Sequence, residues 1–303
     1  MVTNCTKIRF FSLAEAGITN TSVWPPGSTE PFYISKDECQ NRGFWDKTSN
    51  GGWERLTFKI FNKYINSNTT VVDFGTWIGP TLLYHGQYSL RSFGMEADPI
   101  AFAVAEFNVE LNRKLRPNSW AGRVTVDSGC ISTPEDVGNI TMRAGGNAGK
   151  SMSHINKNVG GRVKWNVRCY TLPDIFENYW GIRRPYIDVF IKIDVESYEC
   201  KLVPSFYDWL KDEQYLPKMY ISFHPQIESC NDDEFEGVLK FLRLYDHVRI
   251  EGDRKDWQIQ NATVTVQDLK GMLKSEVIVY QNHHAVWEGC PQTEMRCTGG
   301  LGD

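Results

Sequence analysis

The run Ile187-Asp188-Val189-Phe190-Ile191-Lys192-Ile193-Asp194-Val195-Glu196 constrains this chain more than any other segment. From Ile187 to Val195 it is apolar almost throughout, the signature of a strand in a parallel sheet that helices cover on both faces. Period two places Asp188, Phe190, Lys192, Asp194 and Glu196 on one side while the strand remains extended. A lysine buried in such a strand needs a carboxylate partner, because an isolated ammonium away from water is prohibitively costly. Lys192 is therefore expected to be structural and paired with a neighbouring acid.

Strand and helix signals alternate around this run. Thr70 to Phe74 is a short β-branched strand stopped by Gly75, and Pro80 stands where a first helical turn begins. Ser92 to Met95 is a second strand. Asp98 then offers an N-cap, Pro99 the first helical position, and Ile100, Ala103, Val104, Phe107 and Leu111 one helical face. Val124 to Val126 and Met219 to Phe223 read as further strands, the latter closed by Pro225. Asp232 or Asp233 can cap a helix carrying Phe235, Val238, Leu239 and Leu242, and strands at His247 to Ile250 and Val277 to Tyr280 finish the pattern. Repeated β-α units around one core predict a doubly wound, Rossmann-like α/β domain. The expected division is an N-terminal extension with a core-packing helix over 1–66, the α/β domain over 67–286 and a tail over 287–303. Residues 1–50, aromatic and turn-rich, read as an irregular wrap.

With 303 residues, 41% of them hydrophobic and 13% aromatic, the chain can bury a full core, which excludes intrinsic disorder. Lys and Arg number 33 against 37 Asp and Glu, and the resulting net charge of −4, with no long run of like charges, excludes a basic nucleic-acid footprint. No apolar stretch approaches the roughly 18 to 20 residues of a membrane helix. The first residues are too broken for a signal-peptide core, so the chain is expected either in the cytoplasm or, after loss of a leader, in the secretory lumen. Eight cysteines without a C-x-x-C exclude thioredoxin-type redox and zinc-ribbon chemistry. Cys290 and Cys297 are near neighbours that form either a local disulfide or two free thiols. N-x-S/T sequons at Asn4, Asn20, Asn68, Asn139 and Asn261 lean toward the lumen.

Open α/β sheets bind ligands at the carboxyl ends of their strands. The first such turn, Asp73-Phe74-Gly75-Thr76-Trp77-Ile78-Gly79-Pro80, has G-x-x-x-G spacing and not the G-x-G-x-x-G that cradles a pyrophosphate. It suits S-adenosylmethionine, whose carboxylate would meet backbone N–H groups while Asp73 attracts its ammonium. Glu96, at the end of the second strand, would accept the ribose hydroxyls; Asp98 either joins it or serves only as a cap. Asp194 and Glu196 end the central strand, and His224 ends the next apolar strand. Together they could deprotonate a hydroxyl or hold a divalent ion that acidifies it. The Gly-rich excursion from about 133 to 162 contains Gly145 to Ser151, which lacks a P-loop's first glycine because Ala144 is there. Lys150, Ser151 and Ser153 mark it as either an active-site loop or a solvated surface loop.

Three segments together carry a family likeness: Val71-Val72-Asp73-Phe74-Gly75-Thr76-Trp77-Ile78-Gly79; Gly94-Met95-Glu96-Ala97-Asp98-Pro99 with Asn108 and Asn112; and Ile191-Lys192-Ile193-Asp194-Val195-Glu196-Ser197-Tyr198-Glu199. Over about residues 65 to 250 the chain resembles the FkbM family of S-adenosylmethionine-dependent methyltransferases. The resemblance implies a class I methyltransferase fold, a mostly parallel seven-stranded sheet with one antiparallel strand in its last hairpin. It also implies O-methylation of a sugar or other hydroxylated metabolite. By that likeness Asp73, Gly75, Thr76, Gly79, Glu96 and Asp98 line the cofactor, and Asp194 and Glu196 face the reaction centre. Tyr198 departs from the family pattern, which has a small residue there, and bears on acceptor size. Two other readings stay open. Glu96 would equally suit the ribose of NAD in an oxidoreductase, although the third glycine is missing, and the many aromatics would suit a non-catalytic glycan-binding domain.

Overall fold

A computed structural model describes residues 20–35, 43–144, 153–154, 163–196, 198–224, 230–250, 256–257, 264–272 and 276–281. In chain order, a hairpin of β1 (Asn20–Val23) and β2 (Phe32–Ser35) precedes α1 (Phe44–Ser49) and α2 (Arg55–Tyr64). The α/β units follow: β3 (Thr70–Phe74), α3 (Pro80–Gly86), β4 (Arg91–Glu96), α4 (Pro99–Leu115) and β5 (Val124–Ser128). Four strands come next, β6 (Cys130–Ile131), β7 (Gly138–Ala144), β8 (Ser153–His154) and β9 (Val163–Tyr170). The second half holds β10 (Val189–Ile193), α5 (Glu199–Ser205), α6 (Tyr207–Leu210), β11 (Lys218–Ser222) and α7 (Asp232–Leu242). It closes with β12 (His247–Ile250), β13 (Asp256–Trp257), α8 (Val266–Met272) and β14 (Glu276–Tyr280).

The central sheet runs β5-β4-β3-β10-β11-β14-β12-β13. Strands β5 through β11 pair in parallel, and β14 is antiparallel to both neighbours. This is the class I methyltransferase strand order, seven strands with the last inserted antiparallel, plus a two-residue edge strand, β13. The order reverses between β3 and β10, so the crevice of the fold opens where those two strands end.

Both faces of the sheet are covered, as the run at 187–195 predicts. Val71, Phe190, Tyr220 and Ile278 pack against Phe58, Phe61 and Tyr64 of α2 and Tyr84 of α3. Ile191, Met219 and Val279 on the opposite face pack against α5 and α7 through Leu202, Val203, Val238 and Leu239. Each such side chain, buried against water, contributes about 1.5–3 kcal/mol. The wrap is partly regular: Val23, Phe32 and Ile34 of the hairpin bury against Ala101, Val104 and Val109 of α4. Asn112 of α4 locks β2 in place, accepting from the Tyr33 N–H and donating to the Tyr33 carbonyl.

Several local expectations change. The polar excursion at 133–162 contains strands of a second, four-stranded sheet ordered β6-β9-β7-β8. Its inner face is a small core of Cys130, Met142, Val167 and Cys169, whereas Asn139, Thr141, Lys164, Asn166 and Arg168 face outward. Asn231 caps α7, with Glu234 completing a capping box, in place of Asp232 or Asp233. Disulfides join Cys130 to Cys169 and Cys200 to Cys230; Cys290 and Cys297 lie outside the described residues. Among the described residues no helix is long and apolar enough to cross a membrane.

Candidate active site

The turn after β3 meets the end of β10 at the switch point. Gly75 has φ +76°, and a Cβ there would lie 1.7 Å from the Asp194 carbonyl oxygen, so only glycine lets the two strand ends close together. The Asp194 N–H donates to the Phe74 carbonyl at 3.1 Å, and the Gly75 N–H to Met95 at 3.1 Å. A cavity of about 410 Å³ opens above this junction. Gly75, Thr76, Trp77, Met95, Glu96, Gly129 and Ile131 line one side of it, and Asp194, Glu196, His224 and Ser222 line the other.

Glu96 is nearly buried, at 8% exposure. Its carboxylate accepts the Trp77 N–H and the Asp98 N–H, each at 2.7 Å. Burial raises its pKa to about 7 against the lowering effect of those two backbone donors. Such a carboxylate still has lone pairs to offer further hydroxyl donors inside the cavity.

The second side is a cluster. Strand β10 ends at Ile193, earlier than the run of apolar residues suggests, because Glu196 takes a left-handed conformation (φ 50°) that turns the chain into α5. Its side chain nevertheless shares the cavity with Asp194. His224 Nδ1 bonds Glu199 Oε1 at 3.1 Å, and Glu199, buried, also accepts the Val195 N–H. That tie directs Nε2 toward Asp194 (3.8 Å) and Glu196 (3.9 Å). Burial disfavours the imidazolium, but the hydrogen bond and charge of Glu199, with Asp194 and Glu196, outweigh it and raise His224 to about 9. Burial, with Asp194 and Glu199 as like charges, raises Glu196 to about 7 despite His224. Ligand atoms of Asp194, Glu196 and His224 all fall within 4.8 Å of one another. They are the residues that could hold a divalent cation, but only with His224 neutral, because the protonated ring has no lone pair on Nε2 to offer.

Not every expected residue reaches the cavity. Asp73 is fully buried, and its carboxylate is occupied by Lys192 Nζ (3.0 Å), Thr81 Oγ1 (2.7 Å) and His85 Nε2 (3.2 Å). It stands opposite Lys192 in the β3–β10 register, so the buried ammonium gets its acid from the adjacent strand. It is fully buried and does not line the cavity, so the structure shows it holding Lys192 and not reaching the space where a ligand's ammonium was expected. Gly79 (φ 93°) caps α3 and sits against Ala105 of α4, a packing role away from the cavity. Asp98 is buried and caps α4, its Oδ1 accepting from the Ile100 and Ala101 N–H groups. Tyr198 donates to Asp136 at 2.6 Å and does not line the cavity, so it leaves the cavity's width untouched. Lys150 and Ser151 lie outside the described residues; Ser153 belongs to β8.

Among the cavity residues that escaped the sequence reading are Phe44, Trp53, Glu54 and Tyr220. Phe44 meets Trp53 and Trp77 edge-on at 4.9 and 4.7 Å, making an aromatic wall from the N-terminal extension. Glu54, Trp77 and Glu196 are three of the four described non-glycine residues with positive φ, and all three line the cavity. Clustered backbone strain of this kind marks functional sites.

No family model and no curated protein matches this sequence. Solved structures similar to it include the methyltransferase FkbM from Methylobacillus flagellatus, at 16% identity over 74% of this chain and 50% of that one, TM-score 0.38. This chain thus spans about half the length of that protein. The O-methyltransferase from Bacillus cereus in complex with SAH shows 15% identity over 77% and 81% of the two chains, TM-score 0.35. TYW2 from P. horikoshii in complex with MeSAdo shows 12% identity over 87% and 71%, TM-score 0.38. The fold assignment stands on strand order, independently of these likenesses.

Proposed function

We propose that this chain is an S-adenosylmethionine-dependent O-methyltransferase acting on a hydroxyl of a glycan or small hydroxylated metabolite. The observation that supports the reading is one cavity, at the switch point of the sheet, that is lined both by Gly75 and Glu96 and by the Asp194–Glu196–His224 cluster. S-adenosylmethionine, bound there, supplies an electrophilic methyl group on a sulfonium. Glu96 accepts the ribose hydroxyls, and the Gly75-Thr76-Trp77 turn lies against the cofactor. Glu196, balanced near neutrality, takes the acceptor's hydroxyl proton, while the His224 imidazolium offsets the charge of Asp194. The aromatic wall of Phe44, Trp53 and Trp77 offers ring faces to an uncharged, hydroxyl-rich acceptor.

Calorimetric titration with S-adenosylhomocysteine tests the donor side. Saturable binding is expected, weakened about tenfold by Glu96→Gln as one charge-assisted hydrogen-bond set is lost. Binding of NAD in its place would overturn the reading in favour of an oxidoreductase. Donor binding without methyl transfer to any of a panel of sugars and polyols would overturn the acceptor class.

A further inference from the structure

Among the described cysteines only Cys130 borders the cavity; the disulfides and the sequons have no part in the proposed chemistry, and they point the same way. All four cysteines with described positions are paired. Cys130 and Cys169 are register partners on β6 and β9, and Cys200 of α5 is joined to Cys230 just before α7. Cys130, Cys169 and Cys200 are buried in the core. Inter-element, buried disulfides with no C-x-x-C are structural, and structural disulfides form and persist in oxidising compartments.

Two sequons have fully described asparagines, and both side chains are exposed. Asn68 sits in the turn between α2 and β3, at the amino end of β3 and hence at the edge of the sheet away from the cavity. Asn139 lies on β7, where Met142 faces the cavity and Asn139 shares the opposite, solvent-facing side with Thr141. A bulky, solubilising group on either exposed asparagine displaces no core residue.

We propose that this chain matures in an oxidising secretory compartment and carries N-linked glycans on Asn68 and Asn139. In the transfer, the asparagine Nδ2 forms a bond to the anomeric carbon of an oligosaccharide held on a polyprenyl diphosphate. The bond from that carbon to the diphosphate oxygen breaks, the diphosphate leaves with the electron pair, and the amide proton passes to the transferring enzyme. Thr70 and Thr141 are the hydroxyl residues of the two sequons. Thr70 is buried at the start of β3, so glycan transfer to Asn68 precedes closure of that strand into the sheet, whereas Thr141 stays exposed after folding.

Peptide mapping of the full chain purified from its own cells tests this. Digestion with peptide-N-glycosidase in heavy-oxygen water is expected to leave a labelled aspartate at positions 68 and 139. Non-reducing digestion is expected to keep the Cys130 peptide joined to that of Cys169 and the Cys200 peptide to that of Cys230. Unmodified asparagine at both positions, or free thiols at these four cysteines, would overturn the proposal. Neither result depends on methyl transfer, so the outcome is separable from that of the activity assays.

Discussion

Two histidine–carboxylate clusters lie within a few residues of each other and behave as opposites. Asp73, His85 and Lys192 form the first, buried between the sheet and α3 with Lys192 bordering the cavity; Asp194, Glu196 and His224 form the second, a fifth to a third exposed at the cavity wall, and Lys192 Nζ, 3.5 Å from Asp194, joins the two. In the enclosed cluster, burial alone would raise Asp73, but Lys192, His85 and Thr81 together hold it down at about 2. Burial lowers His85, so its ring stays neutral beside a paired ion. In the open cluster three anions share one imidazole and the far side of the Lys192 ammonium, 3.5 Å from Asp194, and the balance leaves Glu196 at about 7 and His224 at about 9. The residue types are nearly the same. A fully satisfied buried pair is fixed far from neutrality and supports the fold, whereas an over-supplied, half-open set sits where protons move at ordinary pH.

The largest effect that separates them is expected from Glu196→Gln. Methyl transfer should fall by about 10²–10⁴-fold, the usual contribution of a general base, with the unfolding midpoint unchanged. An undiminished rate would remove Glu196 from the chemistry and leave the open cluster as another salt-bridge network. On the other side, Lys192→Met should cost about 3–5 kcal/mol in denaturant unfolding, because Asp73 is left as a buried charge without its cation. Stability equal to the parent would show that the enclosed cluster does not hold β3 to β10.

A smaller effect sharpens the contrast through pH. The methyl-transfer kcat should rise as pH increases through about 7, where Glu196 loses its proton, and fall through about 9, where His224 loses its own. Glu199→Gln removes the anion that supports the imidazolium and should move the upper limb down by roughly one pH unit, and the lower limb down by less, because Glu199 is also one of the like charges that raise Glu196. A profile with no limb near 9, unchanged by that substitution, would assign His224 a purely structural position.

Legibility in the sequence divides along a physical line. The strands at 70–74, 91–96 and 124–128, Pro99 opening α4 and the pairing of Lys192 with an acid were readable, because each depends on local periodicity, a cap or the cost of a buried charge. The choice of Asp73 as the acid that holds Lys192 was not readable, because its proximity to the glycine turn is a fact of sequence, and its capture by Lys192 is a fact of register between strands more than a hundred residues apart. The second sheet was hidden by its own composition: β7 and β9 bury only one face each, so the segment reads as polar even though Ile140 and Met142, or Val167 and Cys169, alternate as half-buried strands do.

What the sequence alone determined is the α/β class, the glycine turn, Glu96 at the end of β4, and the candidacy of Asp194, Glu196 and His224. These follow from short-range rules of backbone conformation and side-chain period. Only the tertiary structure decided that Glu199 orients His224, that Phe44, Trp53 and Glu54 close the cavity from the N-terminal extension, and that the described cysteines pair as they do. Those facts depend on which distant segments the core brings together, and no local pattern encodes the partner of a side chain across the fold.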